Sequence, residues 1–299
     1  MLQGWNRFVR NHEPLIYLLP ALIAILMVAI YPMLYSIRLA FIADVQNIYD
    51  PRPYVGLKNF HDILSDAKYG RALTNTIIYV LISVTGSFVL GFGAALLLRT
   101  ITWGRSFFRV VLIIPMMAAP LAVGLTWRWM LEPLFGLVNW VFGLVNLPPQ
   151  TWLGMKETAL QVVLLVDIWQ WYPLVFLLIY AGLSGLPREP FEAAKVDGAP
   201  PWMVFRYLTL PMLRPVILVA LLLRTIDAFR TFDIVKVLTD GGPAMRTEVL
   251  SLYLWRIAFE FHSLSRAAAG SLIMLLVIGL ISAIMFKFLY PTLQAKDAP

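Results

Sequence analysis

Five ionisable side chains recur at a spacing of three within an otherwise apolar stretch: Arg224, Asp227, Arg230, Asp233 and Lys236. Their signs alternate, and residues three apart are neighbours on a helix, so each charge can meet an opposite partner. A step of three lags the helical period, so the ladder winds slowly around its axis. Such side chains could hydrogen-bond a polyol in a wet path, or they could lock neighbouring helices together; the sequence supports both uses. A second polar group stands in Asp167-Ile168-Trp169-Gln170-Trp171-Tyr172-Pro173. Trp169 and Tyr172 share a helical face. Aromatic faces stack on the CH surfaces of sugars, and Asp or Gln bonds their hydroxyls. The same aromatic residues would serve equally as interfacial anchors, the use also expected of Trp127, Trp129, Trp152 and Trp171. Asp167, Trp169, Tyr172, Asp227, Arg230 and Asp233 are the candidate residues of a solute path.

Other chemistry is excluded by what is missing. The chain has no cysteine, which removes disulfides, thiolate metal sites and cysteine nucleophiles. His12, His61 and His262 are scattered without metal-ligand spacing, so no metal site is expected. There is no GxxxxGK[ST] phosphate loop, no GxSxG and no HExxH.

The elements that carry the candidate residues follow from the solvent they require. Of the 299 residues, 60% are hydrophobic and only 14% charged, with a mean hydropathy of +0.76. A soluble domain averages about 45–50% apolar and about 25% charged residues, and a soluble fold of this length could not cover the excess with polar surface. Lipid is therefore the solvent. A helix crosses the hydrocarbon with about 20 mostly apolar residues, and six stretches qualify: Leu15–Ile37, Leu73–Leu98, Phe108–Met130, Ala159–Leu183, Met212–Val237 and Ala267–Tyr290. Leu134–Leu147 is apolar but short and reads as an interfacial or re-entrant helix. In lipid the backbone must bond to itself, and the alternation of a membrane barrel is absent, so the expected class is an all-α integral membrane protein. The first span follows Arg7 and Arg10 and is too long for a signal peptide core; it is expected to be retained.

Basic residues set the orientation. Arg7 and Arg10, then Arg99, Arg105 and Arg109, then Arg188, Lys195, Arg206 and Arg214, and finally Lys287 and Lys296 fall on one side of six spans. The first opposite loop is mixed, with Arg52, Lys58 and Lys68 among Asp50, Asp62 and Asp66. The positive-inside rule places both termini in the cytoplasm. The expected organisation is a cytoplasmic segment 1–14, a transmembrane domain 15–290 containing a cytoplasmic loop 184–211, and a cytoplasmic tail 291–299. The net charge of +7 reads as basic cytoplasmic loops rather than a nucleic-acid surface.

The loop between the fourth and fifth spans is the most informative segment. Pro187 and Pro190 suit a helix start. Phe191, Ala194 and Lys195 follow on one face, and Gly198 stands where a positive φ would end the helix. A second short helix is expected from Pro201, stopping before Pro211. The exposed small residues Ala193, Ala194 and Gly198 would let another protein approach closely.

The spacing Glu192-Ala193-Ala194, then Gly198, then Leu208, Leu210 and Pro211 resembles the cytoplasmic loop signature of binding-protein-dependent ABC importer permeases, and Asp197-Gly198-Ala199 matches its common variant. Val55 to Phe60, Asn75-Thr76, Phe108-Arg109, Ile114-Pro115, Trp127 to Met130, Gly136 to Asn139, Phe232-Asp233 and Leu238 to Pro243 with Thr247 are similar to segments of the carbohydrate branch; Ser265 stands where that branch has glycine. The resemblance implies a type I importer permease fold. It also implies a heterodimer with a second homologous permease, two ATPase subunits, and a periplasmic or lipid-anchored solute-binding protein. The setting would be the bacterial inner membrane and the solute carbohydrate-like. This chain would bind no cofactor; ATP and Mg would be used by the ATPases. Glu192, Ala193, Ala194, Asp197, Gly198, Ala199 and Pro211 would couple it to an ATPase, with Glu192 the ion-pair candidate. No catalytic residue is expected.

Two other classes remain as alternatives. An ion-coupled secondary transporter could use Asp167 and Asp227 as proton or sodium sites, but it would leave the Glu192 loop unexplained and no repeat between halves is evident. An enzyme acting on lipid-linked sugars would need carboxylates or histidines clustered at one membrane face, which the sequence lacks.

Overall fold

The computed structural model describes residues 17–44 and 53–294. The segment 1–14 with Arg7, Arg10 and His12, the first two residues expected in the first span, the loop residues Asp50 and Arg52, and Lys296 lie outside the described residues. The described chain is helical. It has no strand, and one isolated bridge pairs Ile42 with Tyr54.

The helices are α1 (Tyr17–Ala40), α2 (Lys58–Leu64), α3 (Ala67–Thr100), α4 (Arg105–Met117), α5 (Pro120–Met130), α6 (Leu137–Leu144), α7 (Ala159–Ser184) and α8 (Glu189–Val196). They continue with α9 (Pro201–Phe229), α10 (Asp233–Leu238), α11 (Leu250–Phe259) and α12 (Leu264–Gln294). Five of them, α1, α3, α7, α9 and α12, are long and apolar enough to cross a membrane, and α4 with α5 makes a sixth if the bent pair is one span. At 1.5 Å per residue α3 is about 51 Å long, so it projects well beyond a hydrocarbon core of about 30 Å.

Three expectations are corrected. The third span is two helices, α4 and α5, bent by 93°. Ala118 and Ala119 between them are extended, with ψ of 142° and 136°, because a residue before proline is pushed out of the helical region and Pro120 can begin a new helix but not continue one. The fifth span ends at Phe229 rather than running to Val237. Arg230 and Phe232 leave the helical region, and α10 starts afresh at Asp233. The helix that begins at Pro201 does not stop before Pro211 but runs through it into the span. A π-helical turn at Phe205–Thr209, in which Leu210 N–H reaches the Phe205 carbonyl, re-registers the ladder where Pro211 offers no donor.

The chain divides into two compact units. One contains the described residues up to Asp66 with Leu254–Ile273. There Asn59 Nδ2 donates to the carbonyls of Ala40 at 2.9 Å and Ile42 at 2.8 Å, closing the C-terminal end of α1. Asp44 Oδ1 accepts the Ser265 amide at 2.6 Å, capping the start of α12. The other unit, Ala67–Tyr253 with the chain from Met274 onward, carries the charged residues of interest. Its core joins α3, α7 and α9 through Ala95, Leu98, Val175, Phe176, Ile179, Leu213 and Ala220. Gly91 sets the α3–α7 contact: a Cβ there would lie 2.6 Å from the Tyr172 carbonyl oxygen and 2.8 Å from the Phe176 nitrogen.

Candidate functional site

Because α3 and α7 pack so closely, Ser83 and Ser87 of α3 face Asp167 of α7, and α9 brings Arg224 between them. Arg224 is wholly buried, and each of its guanidinium nitrogens is bonded. Nε donates to Ser87 Oγ at 3.3 Å, Nη1 to Asp227 Oδ2 at 2.9 Å, and Nη2 to both Ser83 Oγ and Asp167 Oδ2. Ser83 also donates to Asp167 Oδ2. Beside this group Tyr79 Oη lies 3.2 Å from Thr231 Oγ1, and the Ser251 hydroxyl donates to the Thr231 carbonyl. An ionisable group at membrane depth costs about 2.5–3.5 kcal/mol on insertion scales unless paired or wet. Arg224 and Asp167 meet that cost by pairing, since their side chains are 0% and 2% exposed.

Asp227 is different. Its side chain is 40% exposed and it opens onto a small cleft of about 80 Å³ lined by Pro120, Asp167, Trp171, Asp227, Arg230, Thr231, Phe232, Asp233 and Ile234. This cleft lies where both spans break. Pro120 follows the extended Ala118-Ala119 link, and Arg230 to Phe232 form the interruption between α9 and α10. Gln170, fully buried, donates to the Ala118 carbonyl at 3.1 Å and so satisfies a group freed by the first break. Arg128 Nη1 donates to the Val237 carbonyl at 2.8 Å, and Gly124 lets α5 approach Val237 of α10. Irregular backbone at membrane depth is tolerated where protein satisfies its freed groups, as Gln170 does at the first break.

The ladder is therefore split rather than continuous. Arg224 pairs with Asp167 and Asp227; Lys236 pairs with Asp240 at 2.8 Å, four residues on, instead of with Asp233. Of the six candidate path residues, Asp167, Asp227, Arg230 and Asp233 come together in the cleft. Trp169 and Tyr172 do not. They line a separate apolar groove with Ile82, Leu90, Gln161, Leu164, Leu165 and Ile168, and Trp169 packs edge-to-face on Trp127 with ring centroids 5.6 Å apart. Trp171 is the aromatic residue that reaches the cleft. On α7 it is four residues from Asp167 and so on the same face, a signal the sequence contained. Ser83 and Ser87, also four apart, carried no signal that could distinguish them from other small residues of a span. Trp152 donates its indole N–H to Asn139 Oδ1 at 2.9 Å and packs on Phe142. Asn139 in turn donates to the carbonyls of Pro133 and Gln150, knitting the loop around α6.

The loop 184–211 holds the other candidates. Helix α8 ends in a Schellman motif: Ala199 N–H bonds to the Ala194 carbonyl at 2.9 Å and Gly198 N–H to that of Lys195 at 3.2 Å. Gly198 has φ of +69°, the left-handed conformation this motif requires, and nothing stands within 4 Å of where its Cβ would be. Glu192, Ala193, Asp197 and Pro211 are exposed, Ala194 and Ala199 partly so. Phe191 turns inward, where the Arg99 guanidinium at the end of α3 lies 5.5 Å above its ring. Val196 is 87% and Trp202 64% exposed, so the loop presents an apolar outer surface.

Residues 87–295 match the family described as the binding-protein-dependent transport system inner membrane component. The chain belongs to that family. This permease is 35% identical over 91% of its length to the trehalose/maltose transport system permease protein MalF of Thermococcus litoralis, covering 90% of that protein. It is 33% identical over 92% of its length to the trehalose transport system permease protein SugA of Mycobacterium tuberculosis, covering 87% of it. It is 30% identical over 96% of its length to the sulfoquinovosyl glycerol transport system permease protein SmoG of Agrobacterium fabrum, covering 94% of it. Among solved structures it is similar to a chain of a bacterial ABC transporter involved in the import of the acidic polysaccharide alginate, with a TM-score of 0.84 at 21% identity, covering 97% of this chain and 99% of that one. The permease is thus an all-α, multi-pass transport subunit with the type I importer fold, not an enzyme, and the ion-coupled alternative falls away.

Proposed function

We propose that this permease conducts a sugar or sugar-like solute through the cleft between its two broken spans. It would work as one half of a heterodimer with a second homologous permease in the bacterial inner membrane, with both termini in the cytoplasm. Two ATPases that use ATP and Mg dock against the 184–211 loop, and a periplasmic or lipid-anchored binding protein supplies the solute from the opposite side. The observation that carries the reading is the meeting of both helix breaks with Asp167, Asp227, Arg230, Asp233 and Trp171 in one cleft. Alternating carboxylates and a guanidinium offer acceptors and donors to hydroxyls, and an indole face suits the CH surface of a sugar ring. The named relatives transport trehalose, maltose or sulfoquinovosyl glycerol, which supports a glycoside as the solute.

The loop supports coupling to the ATPases through Glu192, Ala193, Ala194, Asp197, Gly198, Ala199 and Pro211. The exposed Glu192 carboxylate would form an ion pair with a basic residue of the ATPase, and the bare backbone at Gly198 would permit close approach. Solute and nucleotide must each favour one state of the complex for hydrolysis to drive alternating access.

The test is co-purification of the wild type and of Gly198→Asp from native membranes. Aspartate tolerates the left-handed conformation, so α8 keeps its terminus while the contact face gains a charged side chain. ATPase and second permease should accompany the wild type, and the ATPase should be lost from the variant. Wild-type protein that purifies alone and transports in liposomes without ATP would refute the proposal.

A further inference from the structure

We infer that Arg224 is a positioning residue for the solute path: it holds the Asp227 carboxylate at the cleft while anchoring itself to Asp167, Ser83 and Ser87. The inference rests on the cleft being the path, as proposed above. Three observations carry it. Arg224 is fully buried and cannot itself touch a solute in the cleft. Its Nε and Nη2 are committed to two other helices, α3 through Ser83 and Ser87 and α7 through Asp167, so the fork is fixed on three sides. The fourth bond goes to Oδ2 of Asp227 alone. Among the described residues Oδ1 of Asp227 has no hydrogen-bond partner, on a side chain that lines the cleft. One carboxylate oxygen is thereby clamped and the other left to accept a hydroxyl.

A purely structural Arg224 would matter only because it neutralises Asp167. The two roles separate when the double variant Arg224→Gln with Asp167→Asn is compared with Asp167→Asn alone, since Asp167 itself lines the cleft. The double variant removes the buried charge pair together, which replacement by neutral groups of similar volume often tolerates, and it strips Asp227 of its clamp. Arg224→Lys serves as the second variant. It keeps a charge beside Asp167, but a lysine lacks the planar fork needed to reach Asp227 and both serines together.

The complete importer is purified with its partner subunits and binding protein, reconstituted into liposomes, and offered radiolabelled trehalose, maltose and sulfoquinovosyl glycerol. Uptake is expressed per assembled complex. The expected result is that Arg224→Lys, relative to wild type, and the double variant, where it assembles, relative to Asp167→Asn, lose at least about tenfold in maximal rate, the scale of a lost hydrogen bond to a charged group. The concentration of loaded binding protein giving half-maximal rate should be unchanged, and Asp227→Ala should match the loss. Uptake per complex by the double variant equal to that of Asp167→Asn, or by Arg224→Lys equal to that of the wild type, beside a failing Asp227→Ala, overturns the positioning role and leaves the path intact. Normal uptake by Asp227→Ala, or no ATP-dependent uptake of any of the three sugars by the wild type, overturns the path and this inference with it.

Discussion

Glycines of α3 allow a graded test of how rigidly the frame behind the cleft is built. At Gly91 an added Cβ would meet two backbone atoms, the Tyr172 oxygen at 2.6 Å and the Phe176 nitrogen at 2.8 Å. Backbone cannot rotate away, so α3 and α7 must separate by several tenths of an ångström. Overpacking of this kind costs about 1–3 kcal/mol, and the upper end applies because both obstacles are main chain. Alanine restores about 1 kcal/mol of helix propensity over glycine, so Gly91→Ala should lose about 2 kcal/mol net. At Gly86 the nearest atom, 2.5 Å away, is the Ile168 Cδ1 tip, which can change rotamer; Gly86→Ala should be close to neutral. At Gly93 nothing lies within 4 Å, so Gly93→Ala should gain up to about 1 kcal/mol. Unfolding of the purified complex in mixed dodecylmaltoside and SDS micelles, followed by tryptophan fluorescence, ranks the three. The reasoning fails if Gly91→Ala proves as stable as Gly93→Ala.

Two further predictions concern the starts of α11 and α12. Thr76 Oγ1 accepts the Leu250 amide at 2.8 Å, with both residues buried. Thr76→Val should therefore cost about 1–3 kcal/mol and accelerate hydrogen exchange at Leu250, whereas Thr76→Ser should preserve protection; equal exchange in both variants would show that Thr76 does not cap α11. Asp44 accepts the amides of Ser265 and Arg266, so Asp44→Ala should cost about 1 kcal/mol and raise exchange at those two amides without altering α7; unchanged exchange there would remove the cap from the account.

The spans were legible because lipid imposes a length and a composition on any helix that crosses it. The expected Ala159–Leu183 and the observed Ala159–Ser184 differ by one residue. Gly198 was legible as well, since few sequences besides glycine or asparagine suit a helix terminus that must turn left-handed. Where a break has a local cause, the sequence contained it: Pro120 explains the extended Ala119, although a hydropathy count passed over it because Pro120 sits among apolar neighbours. The break after Phe229 has no such marker. No proline or glycine lies between Asp227 and Asp233, and the helix ends there because tertiary bonds, from Ser251 to the Thr231 carbonyl and between Tyr79 and Thr231, take hold of the next residues. A spacing of three could not reveal that Arg224 looks inward to Asp167, which is distant in sequence, while Arg230 and Asp233 sit on the far side of an interruption. Asn75 illustrates the same limit. It stands inside α3 as a motif residue, yet its work is to donate to the carbonyls of Met245 and Glu248.

The placement of charge along α9 accounts for its unusual sequence. This helix runs unbroken from Pro201, in the loop 184–211, to Phe229 at the edge of the cleft, about 43 Å at 1.5 Å per residue. Under the proposed function this helix would join a coupling surface to a solute path, so it must be continuous enough to move as a body, yet its far end has to carry polar groups that lipid would expel. Both demands are met by packing the inner charge against α3 and α7 and stopping the helix directly beyond it. Arg224 is shielded completely, Asp227 partly, and Arg230 and Asp233 stand exposed, so the cost of each charge falls as water becomes available to it. At the near end the π turn at Phe205–Thr209 absorbs Pro211 without ending the helix. In the proposed coupling a displacement of the loop would reach Asp227 along one element, while Gly91 holds α3 and α7 in close contact beside it.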